Sequence, residues 1–205
     1  MRANLPEGPF NKAEFNLFPT LVQVFCFENH PANPGIIELM DNFEETSSWP
    51  KDVGKGKTSS MHYDPVGKVH RSTNCLDLPE FAKLKRDIEN CLNDYTRTLG
   101  MEGVELTKSW FNIQEADGHV NEHRHDLSIV SGAYYPYVDE GSAPIVFKNP
   151  NLGPKMAEVH DRVTEFTADI MEFHPRSGML VLFPSWLYHR SYRNKTEKRL
   201  TISFN

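Results

Sequence analysis

From about residue 106 onward the apolar positions of this chain recur with a period of two. KSWFNIQ (108–114), SIVSGAYYPYV (128–138), APIVFKNP (143–150), GMLVLFP (178–184) and RLTISF (199–204) are short runs rich in β-branched and aromatic residues, bounded by Gly, Pro, Asn and Asp. Such runs predict a succession of strands. Upstream the period changes. After a strand-like FPTLVQVFCF (18–27), Ile36, Ile37, Leu39, Met40 and Phe43 follow a helical spacing between Pro34-Gly35 and Ser47-Ser48-Trp49-Pro50. A second helix is predicted from Asp77, with Glu80 three residues on in the manner of a capping box and Pro79 in the first turn. Its apolar stripe is Phe81, Leu84, Ile88, Cys91, Leu92, Tyr95 and Leu99, closed by Gly100.

Helices first and many short strands afterwards predict a mainly β fold with N-terminal helices (α+β), a sandwich or jelly roll with the helices packed on one sheet. At 205 residues one domain is expected, with 1–105 as mainly helical support and 106–205 as the jelly-roll core.

Charge and cysteine content narrow the function. A net charge of −6 without any Lys/Arg run argues against bulk nucleic acid or an anionic membrane as partner. No stretch approaches the roughly 20 apolar residues of a spanning helix, and the first residues lack the apolar segment of a signal peptide. The expected location is the cytoplasm. Cys26, Cys75 and Cys91 are odd in number and widely spaced, which suggests neither a disulfide framework nor a thiolate metal site.

The chemistry concentrates in NEHRHDLSIVSGAYYP (121–136). Residues two apart on a strand share a face, so His123 and His125 can offer two imidazoles to one ion; equally, they can be the polar end of a strand. A third ligand is available in His189, where GMLVLFPSWLYHRS turns and starts another strand. Arg199 opens the terminal strand ten residues later. With residues 194–198 as a hairpin turn, His189 and Arg199 would lie on adjoining strands and face one interior. Arginine's planar fork suits a carboxylate, and Thr201, on the same face, adds a hydroxyl. Asn112 and Tyr135 are further candidates for contact with a bound cofactor, each with an ordinary packing explanation beside it. Gly118 suggests a turn that leaves His119 in an exposed loop; His160 reads as a surface residue and His174 as a strand end.

The blocks HRH with SGAYY, FPSWLYH and RLTISFN resemble the Fe(II)/2-oxoglutarate oxygenases of bacteria and phages, within the double-stranded β-helix (cupin-like) dioxygenases; the resemblance extends more loosely through Trp110, Asn112 and Gly118. It implies a jelly roll holding Fe(II) between its sheets. It also implies that Arg199 and Thr201 correspond to the R-x-S/T pair that holds the distal carboxylate of 2-oxoglutarate. The family's ligand strand usually reads H-x-D or H-x-E, and here the second position is His125. The preferred metal set is His123, His125 and His189, with Asp126 as an alternative ligand that a bulge would have to turn inward.

The resemblance implies a dioxygenase that uses Fe(II), 2-oxoglutarate and O2, hydroxylates an unactivated C–H bond and releases succinate and CO2. Two alternatives stand beside it: a three-histidine iron dioxygenase that does not use 2-oxoglutarate, and a non-catalytic cupin-like binding protein. The expected partner is a small-molecule or peptide substrate, and an edge strand could pair two copies into a homodimer. Residues 51–68 and 151–167 are candidate pocket walls.

Overall fold

The computed structural model describes residues 18–42, 47–48, 54–59, 74–151 and 161–205. Phe43, most of 51–68 and His160 therefore lie outside the described residues. Eleven strands among the described residues form two antiparallel sheets. The larger has seven strands in the order β1 (Gln23–Cys26), β9 (Met179–Pro184), β6 (Val130–Tyr135), β11 (Arg199–Phe204), β4 (Ser109–Gln114), β3 (Gly56–Thr58), β2 (Ser47–Ser48). The smaller runs β5 (Val120–His123), β10 (His189–Ser191), β7 (Ile145–Lys148), β8 (Ile170–Phe173). From β4 to β11 the chain passes back and forth between the sheets, which winds them into a double-stranded β-helix.

The larger sheet is buried on both faces, which is why β6 and β9 read as nearly unbroken apolar runs. Alternation sorts their side chains. Leu180, Leu182, Tyr134, Leu200, Ile202 and Phe204 face the helices α1 (Asn33–Asn42) and α2 (Ala82–Thr98), meeting Ile36, Met40, Leu84, Ile88 and Tyr95. Met179, Val181, Phe183, Ala133 and Tyr135 turn the other way, onto Ile145 and Phe147 of the smaller sheet. Each large apolar side chain so buried stabilises the fold by about 1.5–3 kcal/mol. Polar contacts tie the helices down. Tyr95 Oη donates to the Leu21 carbonyl (3.0 Å), Tyr134 Oη to Asn33 Oδ1 (2.8 Å), and His30 Nε2 contacts Asp87 (2.9 Å).

The start of α2 differs from the expectation. Asp77 caps nothing: the residue before Pro79 is held extended, and a short 3-10 turn, Pro79–Phe81, precedes the helix, so the predicted cap sits too early. Asp77 instead accepts from Lys85 Nζ (2.8 Å). The other end follows the sequence. Gly100 (φ +70°) takes the left-handed position, with Met101 N–H donating to Thr96 O (2.9 Å) and Gly100 N–H to Arg97 O (3.0 Å).

One glycine inside β6 has a steric reason. A Cβ at Gly132 would overlap the Phe204 ring and lie 2.9 Å from Leu182 Cδ2. A side chain normally favours a strand over glycine, yet Gly132→Val is expected to lower stability by about 1–3 kcal/mol through overpacking, read as a fall in thermal midpoint. An unchanged midpoint would contradict this packing. The three cysteines are free, Cys26 exposed and Cys75 and Cys91 buried. No helix among the described residues is long and apolar enough to cross a membrane.

Candidate metal and cofactor site

Strand pairing brings the histidines together. β10 runs antiparallel to β5 with His189 directly opposite His123. His125 lies just past the end of β5 and is held there by its backbone N–H, which donates to the Ser185 carbonyl (2.9 Å). One ligand atom from each of the three rings lies within 4.8 Å of the others. His189 is buried; His123 and His125 are half-buried.

Two of these rings have a fixed tautomer. His123 Nδ1 lies 2.8 Å from the Asn121 carbonyl, and His189 Nδ1 lies 3.0 Å from the Leu187 carbonyl. A carbonyl can only accept, so each Nδ1 carries the proton and each Nε2 presents a lone pair. His125 stacks on His189 (centroids 5.2 Å apart), packs beside Trp110 (5.6 Å) and has the Asn205 amide 3.4 Å from its Nδ1. Burial, reinforced by the neighbouring His123, pulls His125 down to about 4 and His189 to about 3. Both rings are therefore neutral at ordinary pH. Asp126 is exposed, and its carboxylate pairs with Arg124 Nε (3.1 Å). Among the described residues no carboxylate joins the three imidazoles.

Across the same cavity lies a cation. β11 and β4 pair so that Arg199 faces Gln114, Thr201 faces Asn112 and Ser203 faces Trp110, forming a row on the inner face of the larger sheet. Arg199 is only 5% exposed. Its Nη1 donates to Gln114 Oε1 (2.7 Å) and Thr201 Oγ1 (3.1 Å), its Nη2 to Tyr135 Oη (3.3 Å), and the Tyr135 ring lies 4.9 Å from its Cζ. Arg199 Nε is buried without a hydrogen-bond partner, and no carboxylate among the described residues pairs with this guanidinium. Burial holds the Tyr135 phenol well above its ordinary range, so it too is neutral. A buried cation surrounded by neutral groups is costly, and a carboxylate ligand would relieve that cost.

His189 and Arg199 reach this cavity differently from the expected hairpin. β10 belongs to the smaller sheet and β11 to the larger, so the two residues sit on opposite walls. The connection does not close as a hairpin because Asn194, within it, is buried and anchored elsewhere: its Oδ1 accepts from Ala143 N–H (3.1 Å), and its own N–H donates to the Gly118 carbonyl (2.8 Å).

Gln114 is the functional residue that sequence reasoning missed. It shares a strand face with Asn112, two residues earlier, so the same alternation that singled out Asn112 could have found it. The turn after it is specific. Asp117 takes a left-handed conformation (φ 66°), and a Cβ at Gly118 would run into the Lys55 carbonyl and lie 3.1 Å from Gln114 Cγ. His119 is half-buried in the cavity wall instead of exposed, with a buried Nδ1 lacking a partner. Of the two candidate wall segments, 54–59 contributes Thr58 to the cavity, and 152–160 lies outside the described residues. His174 is exposed just after β8.

The cavity measures about 310 Å³ and holds all three histidines, Asn112, Tyr135, Arg199 and Thr201. Three convergent imidazole nitrogens suit a borderline divalent ion, and a buried guanidinium without an acidic partner among the described residues suits a carboxylate. The residues present thus fit both a metal and a small acid.

Comparison with known proteins agrees. Residues 108–205 match the family described as "Putative 2OG-Fe(II) oxygenase", 2OG being 2-oxoglutarate. No curated protein matches the chain. Among solved structures, a Pseudomonas putida prolyl-4-hydroxylase superposes with a TM-score of 0.58 at 12% identity, covering 90% of this chain and 91% of that one. A Trichoplax adhaerens prolyl hydroxylase in complex with a hypoxia inducible factor peptide gives 0.55 at 13% identity, over 89% and 82%. HygX from Streptomyces hygroscopicus, with nickel, 2-oxoglutarate and hygromycin B bound, gives 0.50 at 14%, over 90% and 82%. Identities this low establish the shared fold alone. The family match covers the strands that carry the histidine cluster and Arg199, and over residues 108–205 the chain is similar to the 2OG-Fe(II) oxygenases.

Proposed function

We propose that the protein binds Fe(II) through His123, His125 and His189, binds 2-oxoglutarate through Arg199 and Thr201, and hydroxylates a C–H bond of a small-molecule or peptide substrate. The observation that carries this reading is the buried Arg199, without an acidic partner among the described residues, in one cavity with three imidazoles. When bound, Fe(II) with 2-oxoglutarate and dioxygen supplies the oxidising power, and the keto acid leaves as succinate and CO2.

The chain's own residues have separable tasks. His123 and His189 keep Nδ1 protonated on backbone carbonyls and so hold Nε2 ready as a donor. Arg199 and Thr201 grip the far carboxylate, with Tyr135 beneath the guanidinium and Asn112 opposite Thr201. Phe183 and Phe147, packed on His189 at 4.7 and 6.2 Å between ring centroids, exclude water behind the site. The half-buried His123 and His125 mark the side from which substrate approaches. At about 310 Å³ the cavity lies at the small end of ligand sites, which run from about 300 to 1,000 Å³, so a substrate reaches in from the mouth. HygX with hygromycin B bound and the prolyl hydroxylase in complex with a hypoxia inducible factor peptide support a small-molecule or peptide substrate.

One observation favours a second reading. With no carboxylate among the described residues beside the three imidazoles, the site also matches a dioxygenase whose substrate itself chelates the metal, Arg199 then holding that substrate's carboxylate. Succinate separates the two. Fe(II)-loaded protein given 2-oxoglutarate in air should form succinate above the metal-free control, and a substrate should gain one oxygen atom. No succinate above control would contradict the 2-oxoglutarate reading.

A further inference from the structure

Gln114 holds the cofactor-binding arginine without neutralising it. The side chain is fully buried on β4. Its Oε1 accepts from Arg199 Nη1 (2.7 Å), while its Nε2 donates to the Gly118 carbonyl (2.7 Å) and to Ser191 Oγ (3.3 Å). Because a guanidinium can only donate and a carbonyl can only accept, the orientation of this amide is unambiguous. Gln114 also spans the sandwich. Gly118 is in the turn following its own strand, whereas Ser191 is on β10, two residues beyond His189.

Burial of an arginine ordinarily calls for an acidic partner. Glutamate has the same length and shape as glutamine and would supply one at this position. The chain instead surrounds Arg199 with an amide, a threonine hydroxyl and a tyrosine, all uncharged, and leaves Nε without a partner. The cation is thereby aimed but not cancelled.

We propose that Gln114 is a positioning residue that sets the charge selectivity of the cavity, orienting Arg199 for the carboxylate of 2-oxoglutarate while keeping the guanidinium electrostatically free. This rests on the reading that Arg199 receives that carboxylate. A carboxylate at position 114 would form a buried ion pair with Arg199 and exclude the anionic cofactor by repulsion, while setting its second oxygen against the Gly118 carbonyl that Gln114 Nε2 now meets. An apolar side chain of similar length would lose the aim but keep the charge.

The test is anaerobic calorimetry of 2-oxoglutarate binding to the Fe(II)-loaded full chain, with metal affinity and the thermal midpoint of the metal-free protein measured in parallel. Gln114→Glu should weaken 2-oxoglutarate about 100-fold or more and leave Fe(II) affinity within about threefold. Gln114→Met should weaken 2-oxoglutarate by only about tenfold, the scale of one lost orienting hydrogen bond. A merely structural role predicts the reverse order, with the isosteric glutamate the milder change. Gln114→Glu that binds 2-oxoglutarate like wild type, or Gln114→Met that loses it more completely than Gln114→Glu, would overturn the inference. Wild-type protein that takes up no 2-oxoglutarate would overturn the cofactor reading and this inference with it. Should Gln114→Glu fail to fold, Gln114→Met decides: 2-oxoglutarate bound by it as tightly as by wild type would overturn the inference.

Discussion

Arg199→Met is expected to abolish 2-oxoglutarate binding without harming the fold. Among the described residues the buried guanidinium has neutral partners only, so no opposite charge among them offsets its desolvation. Removing it takes away that cost, and methionine fills most of the same volume. The thermal midpoint of the metal-free variant should therefore equal or exceed that of wild type. Affinity for the keto acid moves the other way. Losing a charged partner to a carboxylate in a desolvated site costs about 2–5 kcal/mol, or some 30- to 5,000-fold in dissociation constant. Fe(II) affinity should hardly change, because Arg199 and the histidines are on opposite walls. A variant that loses stability and keeps 2-oxoglutarate would show that Arg199 is a structural residue.

His189→Ala should give the complementary pattern. His189 is the most buried of the three histidines and is locked through Nδ1 to the Leu187 carbonyl. Loss of a residue that merely supports a metal ligand typically costs 10- to 100-fold in affinity, so loss of the ligand itself should cost at least about 100-fold. Competition against a chelator reads this directly. The Phe183 and Phe147 rings that pack on His189 would border a void, so the metal-free midpoint should also fall. Unchanged Fe(II) affinity would contradict the ligand assignment.

The two variants divide the cavity as its sequence does. Period-two alternation made the strands readable, and with them the shared face of Arg199 and Thr201 on β11. It also pointed to His123 and His125, although their convergence depends on a feature no periodicity contains. His125 lies beyond the strand, and what turns it onto His189 is a backbone hydrogen bond to Ser185, from the turn just after β9. The motif located the residues, and the turn supplies their geometry.

Where the reading failed, a tertiary contact outweighed a local signal. Residues 194–198 have the composition of a hairpin turn, but buried Asn194 anchors them to Ala143 and Gly118, and the chain passes from one sheet to the other. Asp77 and Glu80 have capping-box spacing, but Pro79 imposes an extended residue before it, and the helix starts later. Gln114 was overlooked for a related reason. A glutamine at a strand end ordinarily faces water, and its complete burial follows from the tight turn at Asp117-Gly118 and from Ser191 on the other sheet. Ala143 and Ser191 are far in sequence from the residues they hold.

The most direct test of the account is to titrate the Fe(II)-loaded protein with 2-oxoglutarate in the absence of oxygen and to follow the weak visible charge-transfer band of a keto acid chelated to iron. It needs no knowledge of the substrate. The account predicts a band that saturates with wild type and is missing from Arg199→Met at concentrations that saturate wild type. Iron bound at the three histidines with no band at any concentration of 2-oxoglutarate would contradict it.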